Sequence, residues 1–494
     1  MKASLAGLLA GVCLLSGCFN EPAPTQGQES RIRLAMLQPP RSGLTPLSDD
    51  AFKLSRWSTA ETLVVLDPLG EAQPALATQW QRLDETRWRF TLRPNVRFHD
   101  GAAFDAASVI NALNTAAEAA PKPRILDGVT LHAEAEGDSA VIVSTAQPDP
   151  LLPQRLSSPQ LAILSPRAYG ENSVVSPIRA GTGAFVLTEV QGTSSARLER
   201  FDGYWGEKAA STGIDVTFVP DGAARAAALR TGAADIVEAV PVSQVALLPA
   251  EQVHEVPMPR TNTLYLNSAN GPLQDPALRA AVREAVNRQQ IIDNVYEQRA
   301  DPAAGLLGPA LPWAASLRQP VENPVKPAAP NGVTITLATF SDRAELPEVA
   351  IYLARQLSAA GFTVNQVVRE YAHIEADALA GKFDAFILSR ATVLDSGDPV
   401  AYLYSDFACH GSFNIAQLCR PEIDRALEQA AAIYAGPARR QAIMAAERQV
   451  MASDAAIPLL HERVIQGEAP GVRQAQRDPR ERLLVTPATR REAL

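Results

Sequence analysis

Cysteine is scarce, with four in 494 residues, two of them within the first eighteen. So few thiols cannot build a disulfide scaffold, and no pair stands at C-x-x-C spacing, which removes the common thiolate metal and redox sites. Basic clusters are lacking too. The formal charge is −9 and is spread along the chain, leaving no electrostatic footprint for a phosphate backbone. After the first residues no apolar run approaches the length of about 18 that would cross a bilayer. The nucleophile motif G-x-S-x-G, the metalloprotease motif H-E-x-x-H and a Gly-rich lysine loop are all missing. His461-Glu462 begins like the second of these, but Ile465 stands where the second ligand is needed. The six histidines are scattered, and no pattern brings His132, His254 and His373 together. No cofactor and no catalytic residue are expected.

What is present is a long chain that is 46% hydrophobic, enough to bury a large core and divide into two or more lobes. Its first residues read as a targeting segment. Met1-Lys2 supplies a positive start, Leu5–Leu15 a short apolar run, and Leu15-Ser16-Gly17-Cys18 a small-residue ending. That ending resembles the lipobox of bacterial lipoproteins, which implies a signal peptide over 1–17 and a diacylglyceryl group on Cys18. An ordinary signal peptide cut nearby is the alternative. Residues 18–30 are polar and rich in Pro and Gln, which suits a tether. Phe19, not Asp, follows the cysteine, so the resemblance implies a lipid anchor at the periplasmic face, in the outer membrane of a cell with two membranes.

The body starts at about residue 31. Ile32–Leu37 reads as a strand, and Asp49–Leu66 as a helical segment turning extended, with Arg56 and Trp57 near its middle. Trp88–Leu92 alternates as a strand, and Val96 and Phe98 lie on a second one. His99-Asp100-Gly101 turns the chain, and Asp105 caps a helix with Val109, Ile110 and Leu113 on one face. His99, beside Asp-Gly, reads as structural. Asp221–Val237 predicts a helix with Arg225 and Arg230 outward, stopped at Gly232, and a resumed strand. Pro276–Tyr296 reads as one helix, and Asp301–Ala329, with Trp313, as irregular. Strands at Val333–Thr339, Phe362–Val368 and Phe383–Leu388 then alternate with helices at Leu346–Ala360 and Ile374–Ala380. That order predicts a mostly parallel sheet with covering helices. A helix pair, Glu422–Ala435 and Pro437–Ala452, and a strand, Ile457–Leu460, complete the series.

Several blocks carry a family likeness. They are LA-x-x-W from Leu76, W-x-F-x-L-R-x-x-V-x-F-H-D-G from Trp88, and F-x-A-x-x-V from Phe104. Further on come Gly181-Thr182-Gly183-Ala184-Phe185, the Y-W-G turn Tyr204–Gly206, FVPDGAARAAALRTGAADIV, and TLYLNSANGPLQDPALRAAVREAVNRQQIIDNVY. In this order the blocks resemble the extracellular solute-binding proteins of the peptide/nickel class, which serve ABC importers, over nearly all of residues 31–470. The resemblance implies an α/β fold, a two-lobe periplasmic-binding-protein clamshell with an extra subdomain inserted in the first lobe. Lobe I would comprise 31–58, 179–268 and 457–494, the insert 59–178, and lobe II 269–456. It implies a monomer that encloses a ligand between closing lobes and docks on an ABC permease with its ATPase subunits. Nucleic acid is not an expected partner.

The candidate site concentrates in Ala391–Asp424. Asp398-Pro399 opens a helix. Asp395 stands just before it, where α/β sheets present ligand-binding residues and where a local turn aspartate would also stand. The peptide-binding branch of the family implies that Asp395 pairs with a ligand α-amino group and Arg343 with its carboxylate, and that Cys409 and Cys419 form a disulfide. The nickel-binding branch implies a histidine ligand in this loop, here His410. Trp57 and Tyr402 complete the candidate contacts. No Trp precedes the turn, where Thr392-Val393-Leu394 stand, a departure from both branches. The expected function is capture of a small peptide or peptide-like amine for import, the alternative a nickel or metal chelate, and the remote alternative an exported hydrolase.

Overall fold

The computed structural model describes residues 31–492 apart from 171–173, 324, 342, 344, 394 and 395. Cys18 and Asp395 therefore lie outside the described residues. Among the described residues no helix is long and apolar enough to cross a membrane.

Eleven strands form one sheet that runs through both lobes. From one edge the order is Thr363–Arg369, Thr334–Phe340, Ala385–Ala391, Val253–Leu266, Ala456–Glu468, Ile236–Val237, Ile32–Met36, Gly213–Phe218, Ser195–Arg200 and Phe185–Gln191, with Ala300–Pro302 added to Ala456–Glu468. The expectation of a mostly parallel sheet is corrected. Parallel pairing is confined to Ile32–Met36 with its two neighbours and to Thr334–Phe340 with its two. In the second patch each crossover contains a helix, Glu345–Ala359 or Tyr371–Leu379, as a parallel connection requires. Between the patches run two long antiparallel strands, Val253–Leu266 and Ala456–Glu468. Only Ile457–Leu460 of the latter is legible as a strand, because His461, Glu462 and Arg463 break the apolar run. Each of the three has a partner instead: Thr261 for His461, Arg343 for Glu462, and Asp301 with Glu255 for Arg463. Pairing slips between Pro257 and Thr261, where Pro257 and Pro259 have no N–H to give the ladder.

Strand Ile32–Met36 is covered on both faces. Ile32, Leu34 and Met36 enter the first-lobe core, and Ala35 a smaller cluster with Leu229, Val237 and Ile465, which explains a continuous apolar run. The second lobe has its own core around Ile335, Leu353, Phe386 and Leu427, into which the long strand Val253–Leu266 sends Leu264. A third core, with Phe90, Val109, Leu113 and Val141, lies between helix Ala106–Glu118 and a four-stranded antiparallel sheet. Asp105 caps that helix as expected: its carboxylate accepts from the Ser108 amide at 2.9 Å, and Ser108 Oγ accepts from the Asp105 amide at 3.1 Å. Val96 and Phe98, expected on a strand, instead fill this core from a loop with the single bridge Arg97–Ala103.

The G-T-G and Y-W-G blocks are two sides of one seam. A Cβ on Gly181 would lie 1.9 Å from the Thr59 carbonyl oxygen, and one on Gly183 2.1 Å from that of Ser58, so the turn lies against the backbone of 58–59. Beside it the Glu61 carboxylate accepts from Thr182 Oγ1 at 2.7 Å, Tyr204 Oη at 2.9 Å and Trp205 Nε1 at 2.9 Å. Burial raises the Glu61 carboxyl above its ordinary range against the pull of these three donors. Trp57, a candidate ligand contact, is corrected to a core residue. It is fully buried, with its indole N–H donating to Met36 Sδ at 3.2 Å and its ring 6.3 Å from that of Phe218.

Three other expectations change. Arg225 points inward, donating to the carbonyls of Val219, Pro220, Glu238 and Ala239 and so tying the strand ends that flank its helix. The helix expected over Pro276–Tyr296 is two, Pro276–Ala285 and Arg288–Val295, because Val286 is extended and Asn287 caps the second helix through the Gln290 amide. Trp313 lies on a short helix, Pro312–Leu317, and is buried.

Two buried histidines set an acid limit. His99 Nε2 bonds the Gly183 carbonyl at 2.8 Å, and burial pulls the ring down to about 4. His461 is also pulled down to about 4, by burial first and Arg318 second. Thr261 Oγ1 donates to the Leu306 carbonyl, so His461 Nδ1–H donates to Thr261 Oγ1. Both folded values lie below that of free imidazole, about 6.5. The stability conferred by the neutral rings is therefore full above about pH 6.5 and is lost as pH falls towards 4, up to about 3 kcal/mol per ring. Urea midpoints should fall from pH 7 to pH 4.5, less steeply in His461→Gln. A midpoint independent of pH would contradict this.

Candidate functional site

Residues 397–440 meet residues 66–82 directly. Arg440 pairs with Glu71, and Arg82 donates to the Tyr434 hydroxyl with its guanidinium 4.6 Å above the ring. Gly397 packs so closely that a Cβ would sit 2.6 Å from Leu66 Cδ1. Gly397 has φ +72°, a backbone shape that glycine adopts freely. The return segment contributes Arg480, which donates to the carbonyls of Asp67 at 2.7 Å and Pro68 at 3.0 Å. A Cβ on Gly397 would also lie 3.7 Å from Arg480 Nε, so the turn after strand Ala385–Ala391 lies against both Leu66 and the Arg480 side chain.

Charged side chains from both lobes gather where the two long antiparallel strands cross between them. On the first-lobe side Arg56 pairs with Glu238, which also accepts from the Leu37 amide at 2.7 Å. On the second-lobe side Arg390 makes a two-pronged bond to Asp406, at 3.0 Å and 2.8 Å. Tyr265 Oη donates to the same carboxylate at 2.9 Å, and the Arg390 guanidinium lies 4.2 Å over the Phe413 ring. Arg343 donates to Glu462 at 3.0 Å, and Glu462 also accepts from Ser389 Oγ. Arg260, at the slip in the long strand, donates among the described residues only to the Ser389 carbonyl, at 3.0 Å. Burial first, then Arg343, pull the Arg260 guanidinium down, while Glu462 and Glu481 oppose them.

The expected contacts separate on this frame. Arg343 does reach the interlobe cluster, with its charge already matched by Glu462. Tyr402 is 6% exposed, in edge contact with Phe407 and near Arg390, so it backs the cluster. His410 is exposed and, among the described residues, has no hydrogen bond or ion pair. Asp398 fills two roles: it accepts from the Val400 amide at 3.0 Å and binds Arg439 through both oxygens, at 2.7 Å and 3.0 Å. Among the described residues no group of three His, Cys, Asp or Glu side chains is arranged to hold a metal ion. Arg260, Arg390, Glu462 and Glu481 were not singled out as site residues from the sequence. They come from four separated stretches and form no local pattern, and the useful signal was the charged run His461–Arg463 inside an apolar strand.

Cys409 and Cys419 are joined by a disulfide. The loop it closes is also tied by Asn414, whose side chain bonds the backbone of Ala408 and Leu418. Replacing both cysteines by serine should cost about 3 kcal/mol on the loop-entropy account. Thermal unfolding of the pair variant should show that loss, and an unchanged midpoint would mean that the Asn414 bonds alone hold the loop.

Comparison with known proteins places this architecture. A glutathione-binding protein, GsiB, of Salmonella paratyphi A is 28% identical over 305 residues, a match spanning 56% of this chain and 57% of the relative. The chain thus spans little more than half the length of the curated relatives it matches. A nickel ABC transporter protein from Bacillus halodurans superposes with a TM-score of 0.78 at 23% identity, covering 94% of this chain and 100% of that one. A dipeptide binding protein from Pseudoalteromonas sp. SM9913, in complex with Met-Leu, superposes with a TM-score of 0.73 at 18% identity, covering 94% and 100%. These likenesses establish the mixed α/β, two-lobe binding-protein fold. The pattern of the bacterial extracellular solute-binding proteins, family 5 Middle, matches residues 71–414, and the chain belongs to that family.

Proposed function

We propose that the chain captures a small peptide or peptide-like amine between its lobes and delivers it to the permease of an ABC importer. The observation that carries this reading is the turn at Gly397, which packs on Leu66 of the insert and against the Arg480 side chain of the return segment. A ligand lodged against that turn touches both lobes only when they are shut, so its binding energy favours closure. Asp395, two residues away, is the proposed partner of the ligand ammonium. The closed shape is what a permease would read, with ATP hydrolysed by another subunit and no catalytic role for this chain. The lobes would follow the chain divisions at 31–58, 179–268 and 457–494 against 269–456, with 59–178 as the insert. Cys18 is proposed as a lipid anchor holding a monomer at the periplasmic face. Cys18→Ser should release or misprocess it, and wild-type protein found wholly soluble after export would refute the anchor.

Native mass spectrometry of the protein as purified, followed by calorimetry with a small-peptide mixture and with a nickel–histidine chelate, tests the cargo. Retained peptide mass and peptide binding are expected. Binding of the chelate alone, dependent on added divalent ion, would replace this reading by a metal-chelate carrier, as the fold's likeness to the nickel transporter protein allows.

A further inference from the structure

Residues 63–92 and 397–443 belong to different cores. Leu63, Val64, Leu76 and Phe90 pack with the four-stranded sheet, and Val400, Leu427, Ala430 and Ile443 with the elements around Ile335. Between these two bodies reaches a hairpin, Val64–Leu66 paired with Ala72–Pro74. Two strands alone are marginal in water, so this hairpin needs support. At its tip the Asp67 carboxylate accepts from the amides of Leu69 at 2.8 Å and Glu71 at 3.0 Å, and the amide of Gly70, a residue with φ +83°, donates to the Asp67 carbonyl at 2.9 Å. Arg480 holds the same tip through the carbonyls of Asp67 and Pro68. The tip is therefore shaped by its own side chains and by Arg480, whatever it meets.

What it meets is the other body. Leu66 and Gly70 lie against Gly397, where a Cβ on Gly70 would sit 3.4 Å from the Gly397 carbonyl oxygen, and Glu71 pairs with Arg440. On the strands that follow, Arg82 donates to the Tyr434 hydroxyl and covers its ring, which also lies 6.3 Å from that of Trp88. This joint differs from the seam at Glu61. Its charged partners keep part of their surface in solvent, Tyr434 is 36% exposed, and a cavity of about 20 Å³, room for one water, lies among Leu69, Glu71, Gln154, Trp313, Asp398 and Arg440. A permanent core is packed without such gaps, whereas a polar, partly wet joint is of the kind that separates. We infer that hairpin 64–74, with Arg82 and Trp88 beside it, is a latch that closes on Gly397, Tyr434 and Arg440 and biases the two bodies towards closure with no contribution from cargo. Each partly exposed contact contributes little, so the latch favours closure and still lets it reverse. A protein already part closed binds cargo more tightly, because its competent state is more populated. The latch goes beyond the peptide reading, since it holds for any cargo and rests only on the two-lobe fold.

Small-angle X-ray scattering of the intact protein, stripped of cargo, tests the latch. Glu71→Arg and Tyr434→Ala should each raise the ratio of open to closed molecules about two- to fivefold, and the two together by about tenfold. The radius of gyration should grow accordingly while the far-ultraviolet circular dichroism stays that of the wild type. Arg440→Glu alone should open the protein as Glu71→Arg does. Glu71→Arg combined with Arg440→Glu restores an opposite-charge pair and should return the radius to the wild-type value, a rescue that damage to the hairpin would not give. An unchanged radius in the Glu71→Arg, Tyr434→Ala double variant would overturn the latch, and so would a charge swap that stays as open as its single variants. The calorimetry that tests the cargo reads a different quantity, so either inference can fail without the other.

Discussion

With alanine in place of Asp395, peptide binding should weaken by about 30-fold to several thousand-fold, the equivalent of about 2–5 kcal/mol for truncating one partner of a buried charge pair. The neighbourhood explains why this position should matter. Upstream, strand Ala385–Ala391 pairs with Val253–Leu266 between the lobes. Downstream, Asp398 is clamped by Arg439, and Gly397 is wedged against Leu66. His410→Ala should leave peptide affinity unchanged, since His410 is exposed and bonded to nothing among the described residues. The metal-chelate alternative requires the reverse, loss of nickel–histidine binding in His410→Ala with Asp395→Ala unaffected. Should Asp395→Ala bind peptide as tightly as wild type, the aspartate is a turn residue and the ammonium site lies elsewhere.

Asp406→Ala should cost about 3 kcal/mol of stability, and more than Asp406→Asn. The Asp406 side chain is fully buried, and the Arg390 side chain opposite it is 27% exposed. Removing one member of a buried ion pair typically costs about 3–5 kcal/mol, and the partial exposure of Arg390 places the value at the low end. The alanine variant also strands the Tyr265 hydroxyl, which among the described residues donates only to Asp406. Asparagine keeps an acceptor for both donors while losing the charge. Denaturant unfolding of the two variants, with ligand binding measured in parallel, separates the loss of a support from the loss of a contact. Equal stability of Asp406→Ala and wild type would show that Arg390 finds another partner.

The elements most legible in the sequence were those whose partners are close along the chain. The Asp105 cap has its partner three residues away, and the strand–helix series from residue 334 to 391 alternates by a rule that needs no distant information. The disulfide and the helix start at Asp398 fall in the same class. Partners that are distant in sequence were not legible. Arg225 looks like a surface arginine on a helical wheel, and the four carbonyls it binds come from loops on both sides of the helix. Trp57 looks like a ligand-stacking aromatic until Met36 and Phe218 close around it. Glu61 gave no sign of joining the G-T-G and Y-W-G turns, because its three donors lie more than a hundred residues further on. Ion pairs such as Arg343–Glu462, 119 residues apart, belong to the same class. Charge matching across a fold leaves no periodicity for a local reading to find.

The pairing of Val253–Leu266 with Ala456–Glu468 also bears on the order in which the protein is made. Thr261 and His461 stand 200 residues apart, so the first strand exists long before its partner. Until the second arrives, the neighbouring edge at Ile236–Val237 is open as well, because Ala456–Glu468 bridges the two. A nascent chain therefore carries two unpaired strand edges, the feature that invites pairing between chains. It cannot complete its first lobe from the front, and so non-local a closure is slow. The half-made protein is its aggregation-prone form, and chaperones that shield strand edges would act on it in the interval before Ala456–Glu468 is delivered.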